Sequence, residues 1–448
     1  MNINDLNTKE KHLYETENTE PLNVLLIGIF SDSSQENIAL DSLDELRLLA
    51  QTSIGEGYEN SLFYTLTQCR PNPDVSTYVG SGKAVEAGNL CLNNNISLVI
   101  VDGEMSPSQI RNLEDEINKI TAQKQPVRVI DRTMLILDIF AEHAVTGDGK
   151  LQAEISQLKY TAPRLTGKGI ALSRQGGTSG SIGSRGPGET KLETDKRHIQ
   201  RRILSLENAL KEMENDRSTK RTRRIKSQIP MAVIAGYTNA GKSTLLNYLT
   251  DAGVLAQDKL FATLDPTVRN LKLPSGREIL LSDTVGFISR LPHQLVKAFK
   301  STLDEVTYAD IVLVLIDSSD ALSEQKKLVT EQILASLGCT DKNTLYVYNK
   351  CDKLQTVPAF ENDSKFDSVY ISATTGFGTD LLLQKIDDIL SKSKKNVKFL
   401  FPFCMSSAVS NLYKNATVEY QEYTQDGIEV KALVDEKFYG LYKDYVIQ

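Results

Sequence analysis

The sequence has little of what marks a secreted, metal-bound or membrane-spanning protein. Its five cysteines form no Cys-x-x-Cys pair and its four histidines are scattered, which favours a reducing cytosol over a disulfide framework or a zinc site. The longest apolar runs, such as residues 24–30, are too short to cross a bilayer, and the first twenty residues lack the apolar core of a signal peptide. We therefore expect a cytoplasmic protein without a transmembrane segment, which leaves peripheral membrane association open.

The chain also lacks an overall excess of positive charge. Its formal net charge is −7, so any contact with nucleic acid must come from a local basic region. The length of 448 residues predicts about three domains. Residues 1–20 are polar, and we expect them to form a disordered tail.

Alternating strand and helix patterns predict an α/β domain over residues 21–145. The expected strands are residues 22–30, 96–104 and 127–132, and the expected helices begin near Ser106 and Thr133. Ser106 precedes Pro107 and is expected to cap its helix. Residues 78–83, Tyr-Val-Gly-Ser-Gly-Lys, mimic a phosphate-binding loop, but we see no strand–helix frame around them and interpret them as a plain turn.

The apolar spacing over residues 146–228 is that of paired helices. Two stripes recur at alternating steps of four and three residues, which predicts an antiparallel helical hairpin. The first stripe is Leu151, Ile155, Leu158, Ala162 and Leu165, and the second is Ile199, Ile203, Leu206, Leu210 and Met213. Pro163 is expected to kink or end the first helix early. The alternative is that both stripes pack on neighbouring domains.

A glycine-rich stretch, residues 173–191, joins the two stripes. It has six glycines and three basic residues, and it gains little by packing, so we expect a mobile basic loop at the tip of the hairpin. Residues 191–226 then carry twelve Lys or Arg against six Asp or Glu. A solvated helix face explains such a run, but a basic arm with a mobile basic loop favours RNA phosphates as the partner. The candidate contact residues are Arg174, Arg185, Lys196, Arg197, Arg201, Arg202, Arg221, Arg223 and Arg224.

A second α/β pattern predicts a domain over residues 229–394. The expected strands are residues 231–236, 311–317, 344–350 and 368–373, with a hairpin over residues 268–283. This pattern is typical of a parallel sheet with one antiparallel edge hairpin. Residues 395–448 predict a small α+β domain with a hairpin across Gln425-Asp426-Gly427, and their residues indicate no function.

Residues 236–243, Gly-Tyr-Thr-Asn-Ala-Gly-Lys-Ser, follow a predicted strand and precede a predicted helix. The glycines of this pattern let backbone N–H groups close around phosphate oxygens, Lys242 brings a positive charge to the terminal phosphates, and Ser243 can bind Mg²⁺. We therefore predict a phosphate-binding loop at this position.

Two later motifs, residues 261–265 (FATLD) and 283–286 (DTVG), are predicted to complete the phosphate-binding part of the site. Thr263 can offer oxygens to Mg²⁺ and the γ-phosphate, Asp283 can bind the metal through water, and the Gly286 N–H can meet the γ-phosphate. We predict the catalytic residues to be Lys242, Thr263, Asp283 and Gly286, and the metal ligands to be Ser243 and Thr263.

The segment Asn349-Lys350-Cys351-Asp352 predicts which base is bound. The Asp352 carboxylate can accept hydrogen bonds from N1–H and the 2-amino group of guanine, whereas adenine offers neither donor and would leave a buried acceptor unpaired. The backbone of Ser372 and Ala373 can also meet the base. These motifs, in this order, resemble those of Ras-like GTPases of the translation-factor class, and the resemblance implies a GTPase cycle.

The predicted GTP-binding residues are Gly236, Tyr237, Thr238, Asn239, Ala240, Gly241, Lys242, Ser243, Thr244, Phe261, Ala262, Thr263, Leu264, Asp265, Asp283, Thr284, Val285, Gly286, Asn349, Lys350, Cys351, Asp352, Ser372, Ala373 and Thr374.

Two positions bear on hydrolysis. Phe287 stands where many GTPases carry a glutamine that orients water, and a phenyl ring cannot hold water by hydrogen bonding. We expect slow hydrolysis by the isolated protein and help from a partner or a cation. Asn239 stands where an asparagine binds K⁺ in some cation-activated GTPases, and the alternative is that it only stabilises the loop.

Four stretches together resemble the HflX family of ribosome-associated GTPases: residues 185–197 (RGPGETKLETDKR), 236–244, 260–267 (LFATLDPT) and 281–288 (LSDTVGFI). Residues 151–165 and 77–83 are similar to that family too, and the resemblance covers residues 20–395. It implies binding to the large ribosomal subunit, subunit dissociation under stress and rescue of stalled ribosomes. It also implies that the loop of the hairpin points towards the peptidyl-transferase centre, although residues 178–184 are longer than the family's pattern.

Two other functions stay open at this point. One is a GTPase of ribosome assembly or tRNA modification, and the other is a signalling switch that acts on a protein partner. For the ribosomal function we expect a monomer that binds GTP and GDP, uses Mg²⁺ with K⁺ as a candidate activator, and contacts rRNA near the peptidyl-transferase centre.

Overall fold

The computed structural model describes residues 22–54, 61–121, 126–144, 146–164, 194, 196–214, 229–250, 267–289, 305–340, 342–354, 368–392, 395–434 and 436–447. The chain divides into two compact units. One comprises residues 1–215, 257–265 and 285–302, and the other comprises residues 216–256, 266–284 and 303–448. The α/β fold class is confirmed. The predicted tail and the glycine-rich stretch lie outside the described residues, and the domain boundaries stay predictions.

The first unit contains an all-parallel, four-stranded sheet. Its elements are β1 (Asn23–Phe30), α1 (Glu36–Ile54), β2 (Phe63–Cys69), α2 (Ser81–Asn93), β3 (Ile96–Val101), α3 (Pro107–Thr121), β4 (Arg128–Asp131), α4 (Arg132–His143) and α5 (Gly147–Thr161). The strand order is β2-β1-β3-β4. Both faces of β1 are apolar and buried, as expected of an inner strand in a parallel sheet. The Ser106 hydroxyl accepts a hydrogen bond from the Gln109 N–H at 3.2 Å, which confirms the predicted cap of α3.

The segment at residues 78–83 differs from its prediction. It is not a plain turn, because Gly80 is the N-cap of α2, which begins at Ser81. A strand, β2, precedes it and ends at Cys69, so the segment does stand between a strand and a helix. Tyr78 bends the chain into the helix through a left-handed conformation, with φ of 68°. The sequence patterns missed β2 because it is an edge strand with polar and apolar residues mixed on both faces.

The two helices of the predicted hairpin lie together. Lys159 pairs with Glu207 at 2.7 Å, and Arg202 pairs with Glu154 at 2.8 Å, so two ion pairs join α5 to the helical residues 196–214. α5 ends at Thr161, two residues before Pro163. This agrees with the prediction, because proline disfavours the helical conformation in the residue that precedes it.

Neither predicted stripe is buried throughout: over the described residues, the buried members are Ile155 in the first stripe and Leu206 in the second, at 7% and 4% exposure. Leu151 and Leu158 in the first stripe are only half-buried, and Met213 in the second is exposed. The side chains that α5 does bury are Gln152, Ala153, Ile155, Ser156 and Tyr160. The reason is that α5 packs against α4, and this contact selects a different face from the one that spacing indicates.

The second unit contains a six-stranded sheet and a three-stranded sheet. The first sheet is formed by β5 (Met231–Gly236), α6 (Lys242–Thr250), β6 (Val268–Lys272), β7 (Glu278–Asp283), β8 (Ile311–Asp317), α7 (Ser323–Ser336), β9 (Asn343–Asn349), β10 (Ser368–Tyr370) and α8 (Thr379–Lys392). Its strand order is β10-β9-β8-β5-β7-β6, with β6 antiparallel to β7 and the other pairs parallel. The predicted edge hairpin is therefore confirmed, and Gly276 in its turn has φ of 83°.

The three-stranded sheet is antiparallel, in the order β11-β13-β12. Its elements are β11 (Lys395–Phe401), α9 (Ser406–Asn415), β12 (Thr417–Tyr423), β13 (Ile428–Val434) and α10 (Glu436–Leu441). One face of the sheet forms a core around Phe399 and Phe401, against which Tyr442 packs edge-on. The predicted hairpin across residues 425–427 is confirmed by the pairing of β12 with β13.

Candidate nucleotide-binding site

The predicted phosphate loop is a turn between a buried strand and a helix N-terminus. β5 ends at Gly236 and α6 begins at Lys242. Asn239 and Gly241 adopt left-handed conformations, with φ of 60° and 94°. A Cβ atom at Gly241 would lie 2.3 Å from Asn349 Nδ2, so only glycine fits this position. The loop therefore has the close-packed backbone that presents N–H groups to an anion at a helix N-terminus.

Lys242 is held inside this loop. Its Nζ donates to the carbonyl oxygens of Gly236 at 3.2 Å and Tyr237 at 2.8 Å. Burial lowers the pKa of Lys242 to about 8, and the nearby Asp283 carboxylate offsets part of this shift. Burial disfavours the charged form of Lys242, and a bound phosphate would favour it by placing a negative charge next to the ammonium group. The loop is therefore suited to bind an anion beside Lys242.

The predicted metal-binding groups of the described residues lie side by side. The Ser243 hydroxyl donates to Asp283 Oδ2 at 2.9 Å, which brings the first turn of α6 to the end of β7. The next residue, Thr284, is fully buried and donates its hydroxyl to the Ile234 carbonyl oxygen at 2.8 Å. The Thr284 side chain therefore faces β5, and only its backbone is left for a ligand.

Asn349 joins three parts of the site. Its Nδ2 donates to the Ala240 carbonyl oxygen at 2.8 Å, and its Oδ1 accepts from the Ala373 N–H at 2.9 Å. One side chain thus holds the phosphate loop and the loop after β10 in register. The Asp352 carboxylate is exposed and has no hydrogen-bond partner within the part of the chain that the structure describes, so it is open to a ligand. Cys351 is buried.

The remaining predicted nucleotide contacts divide into two groups. Ser372 is buried, its hydroxyl lies 3.0 Å from that of Thr374, and Thr374 is exposed. Val285 is buried. The five residues of the predicted Thr263 motif lie outside the described residues: Phe261, Ala262, Thr263, Leu264 and Asp265.

The candidate RNA contacts divide in a similar way. Lys196, Arg197 and Arg201 are exposed on the helix of residues 196–214, whereas Arg202 is held by Glu154. The other five candidates lie outside the described residues: Arg174, Arg185, Arg221, Arg223 and Arg224. Over the described ranges, no helix is long and apolar enough to cross a membrane.

One residue near the base-binding segment was missed by the sequence analysis. Asp317, the last residue of β8, pairs with Lys350 Nζ at 2.7 Å. The signal available in the sequence was an acidic residue at the carboxyl end of an otherwise apolar strand, where ligands of parallel sheets bind.

The low pKa of Lys242 predicts how nucleotide affinity depends on pH. Bound phosphates favour the charged ammonium and raise its pKa, so binding takes up a proton wherever free Lys242 is partly deprotonated. With a free pKa of about 8, we expect GDP affinity to fall by about fourfold as the pH rises from about 7 to about 8.5. Isothermal titration in buffers of different ionisation enthalpy measures both the affinity and the proton uptake.

Guanosine, which lacks phosphates, is the matched control and should bind equally well at both pH values. A GDP affinity that does not change over this range would contradict the role given to Lys242.

Three family profiles match consecutive parts of the chain. A profile described as GTP-binding GTPase N-terminal matches residues 40–141, and one described as GTP-binding GTPase Middle Region matches residues 143–224. A third, described as 50S ribosome-binding GTPase, matches residues 231–350.

Curated relatives are similar over most of the chain. The GTPase HflX of Caldanaerobacter subterraneus subsp. tengcongensis is 46% identical over 410 residues, which cover 92% of this chain and 90% of the relative. The GTPase HflX of Escherichia coli is 40% identical over 365 residues, which cover 81% and 83%. Among solved structures, a GTP-binding protein of Sulfolobus solfataricus in complex with GDP is similar with a TM-score of 0.42 and 24% identity, over 83% of this chain and 99% of that one.

Proposed function

The chain belongs to the HflX family of GTPases, and from that premise we propose that this GTP hydrolase binds the large ribosomal subunit and uses GTP to split or rescue stalled ribosomes. The observation that carries the proposal is the presence, in one chain, of an ordered phosphate loop and an exposed basic helix. The first supplies the nucleotide cycle, and the second supplies a contact for rRNA phosphates.

We assign the nucleotide contacts by their place in the site. Lys242 and the N–H groups of residues 236–244 hold the phosphates, and the Gly286 N–H meets the γ-phosphate. Asp352 reads the guanine, while the backbone of Ser372 and Ala373 closes over the base. The hydrogen bonds between Asn349 and both loops, one donated to Ala240 and one accepted from Ala373, support this assignment, because they keep the phosphate and base ends at a constant separation.

Mg²⁺ fits the oxygen atoms at the phosphate end. The Ser243 hydroxyl and the Asp283 carboxylate lie 2.9 Å apart, and hydroxyl and carboxylate oxygens are the ligands that this hard cation prefers. Ser243 would bind the ion directly, Asp283 would bind it through water, and Thr263 would be the second direct ligand. When bound, the ion neutralises charge that develops on the phosphates.

Hydrolysis by the isolated protein should be slow. Phe287 is 2% exposed, so its ring is held in the interior, and it has no polar atom with which to orient water. A partner or a cation must therefore complete the catalytic arrangement. Asn239 is the exposed residue of the phosphate loop, which suits either K⁺ binding or a role in loop conformation.

The basic helix is the part of the described chain that best fits rRNA. Lys196, Arg197 and Arg201 are exposed there on a protein whose net charge is −7, so the positive charge is local. We propose that this helix grips phosphates of the large subunit while the glycine-rich stretch reaches towards the peptidyl-transferase centre. We further propose that the protein acts as a cytoplasmic monomer.

Neighbouring arginines of this helix allow a matched test of the ribosomal proposal. Arg201 is exposed and, over the described residues, forms no ion pair, whereas Arg202 is paired with Glu154. We expect Arg201→Ala to weaken association with the large subunit and to reduce the slope of log affinity against log salt by about 0.7–0.9. Arg202→Ala should reduce that slope less, because the Arg202 guanidinium is held in an ion pair with Glu154 and is less available to a phosphate. Cosedimentation with purified subunits at several salt concentrations, in a non-hydrolysable GTP analogue, measures both effects.

The same experiment separates the competing functions. Failure of the intact protein to sediment with large subunits would overturn the ribosomal proposal. Association with free tRNA would then favour tRNA modification, association with immature subunits would favour assembly, and association with none of these would favour a switch that acts on a protein partner.

A further inference from the structure

Residues 317–320, which comprise the last residue of β8 and the loop that follows it, contact the base-binding segment. The Ser318 N–H and hydroxyl both donate to the Asn349 carbonyl oxygen, at 2.9 Å and 2.7 Å. The adjacent residue, Asp317, pairs through Oδ2 with Lys350 Nζ at 2.7 Å. Two consecutive residues, Asp317 and Ser318, therefore hold two consecutive residues of the base-binding segment.

The segment needs such support at Lys350. This residue has φ of 63°, a left-handed conformation that non-glycine residues hold only when their surroundings impose it. The turn that results lets the Cys351 N–H donate to the Ile371 carbonyl oxygen at 3.2 Å and leaves Asp352 exposed. Any relaxation of Lys350 would therefore move the carboxylate that reads the base.

The Asp317 carboxylate is itself oriented for this contact. Its Oδ1 accepts from the Ser319 N–H at 3.0 Å and from the Ser319 hydroxyl at 2.6 Å, which leaves Oδ2 for Lys350. The side chains of Asp317 and Lys350 are only 19% and 21% exposed, so water screens this pair less than a surface pair.

From this geometry we infer that Asp317 is a positioning residue for guanine recognition. It acts through Lys350 and sets the place of Asp352, and the inference thus rests on the proposed reading of the base by Asp352. Asp317 touches neither phosphates nor metal in this role. Its loss should therefore affect discrimination between bases rather than the preference for one phosphate chain length over another.

The test compares GDP with IDP, whose base lacks the 2-amino group that Asp352 would accept from. We expect Asp317→Asn to weaken GDP binding by about tenfold and IDP binding by less, so that the GDP-to-IDP affinity ratio falls towards one. Displacement of a fluorescent guanine nucleotide from the full chain measures both affinities. Ser318→Ala removes one of the two donors to Asn349 and should shift the ratio in the same direction by a smaller amount, which keeps the inference testable if Asp317→Asn does not fold.

The matched control is Asp388→Asn. Asp388 is an exposed residue of α8, outside residues 317–320 and 349–352, so the same loss of a carboxylate charge there should leave the ratio at the wild-type value. A fall in GDP affinity with an unchanged ratio in Asp317→Asn would overturn the inference, because general destabilisation weakens both nucleotides equally. Asp352→Asn is measured alongside: if it loses discrimination while Asp317→Asn keeps it, only the positioning role fails. If Asp352→Asn keeps discrimination, the reading of the base by Asp352 fails and the inference falls with it.

Discussion

Asp352→Asn is expected to reduce GTP affinity by at least about a hundredfold and to make xanthosine triphosphate the better ligand. The carboxylate can accept from N1–H and the 2-amino group of guanine, whereas an amide puts an N–H group against one of these donors. Xanthine has an oxygen in place of the 2-amino group, and this oxygen accepts from the new amide. The exposed position of Asp352, immediately after the strained turn at Lys350, leaves its carboxylate available for this contact.

Competition of the two triphosphates against a fluorescent guanine nucleotide measures the switch. Asp388→Asn is the matched control. Asp388 is an exposed residue of α8, so this substitution removes the same charge at a position away from the base-binding segment. That variant should bind GTP as the wild type does. An unaltered GTP affinity in Asp352→Asn would show that the base is read elsewhere.

Deletion of residues 175–183 is expected to abolish ribosome splitting while GTP binding stays intact. The deleted stretch carries four of the six glycines of residues 173–191 and no element of the phosphate loop. Association with the large subunit should fall only moderately, because the basic helix of residues 196–214 still offers Lys196 and Arg201 to phosphates. Light scattering of intact ribosomes mixed with protein and GTP measures splitting, and nucleotide titration measures the GTP site.

A second variant replaces the same nine residues with a glycine–serine linker of equal length. It tests whether ribosome splitting depends on the side chains of this segment or only on its length. If residues 175–183 act inside the ribosome through their own side chains, the linker variant should bind and fail to split, as the deletion does. Neutralising Arg221, Arg223 and Arg224 should have the opposite effect and weaken binding with a flatter salt dependence. Splitting by the deletion variant at the wild-type rate would reduce the glycine-rich stretch to a tether.

The local parts of the candidate site could be predicted from sequence because each depends on a short run of residues. Residues 236–243 include every residue type that the phosphate loop needs. They have glycine where φ is positive or a Cβ atom would clash, lysine at the start of the helix, and a hydroxyl group next to that lysine. The turn at Gly276 and the hairpin at residues 425–427 are local in the same sense, as is the cap formed by Ser106. The structure confirms the local conformations predicted for these segments.

The contacts that assemble the site join residues far apart in the chain. Asn349 reaches Ala240 across 109 residues, and Ser243 reaches Asp283 across 40. The spacing of residues along the sequence does not predict such pairs, because it does not determine which strand ends lie next to each other in the folded sheet. The ion pair between Asp317 and Lys350 was missed for this reason, although both residues follow or end apolar strands that were predicted.

By itself, the sequence determined the class of fold, the order of the phosphate- and base-binding motifs, and the family, because these depend on residue types and on short periodic patterns. Only the tertiary structure decided which face of α5 is buried, that Thr284 faces β5, that Arg202 pairs with Glu154, and that Asp317 at the end of β8 pairs with Lys350. The physical reason is that a buried face, a paired charge and a strained turn each depend on the neighbour that packing supplies, and that neighbour is chosen by the whole fold.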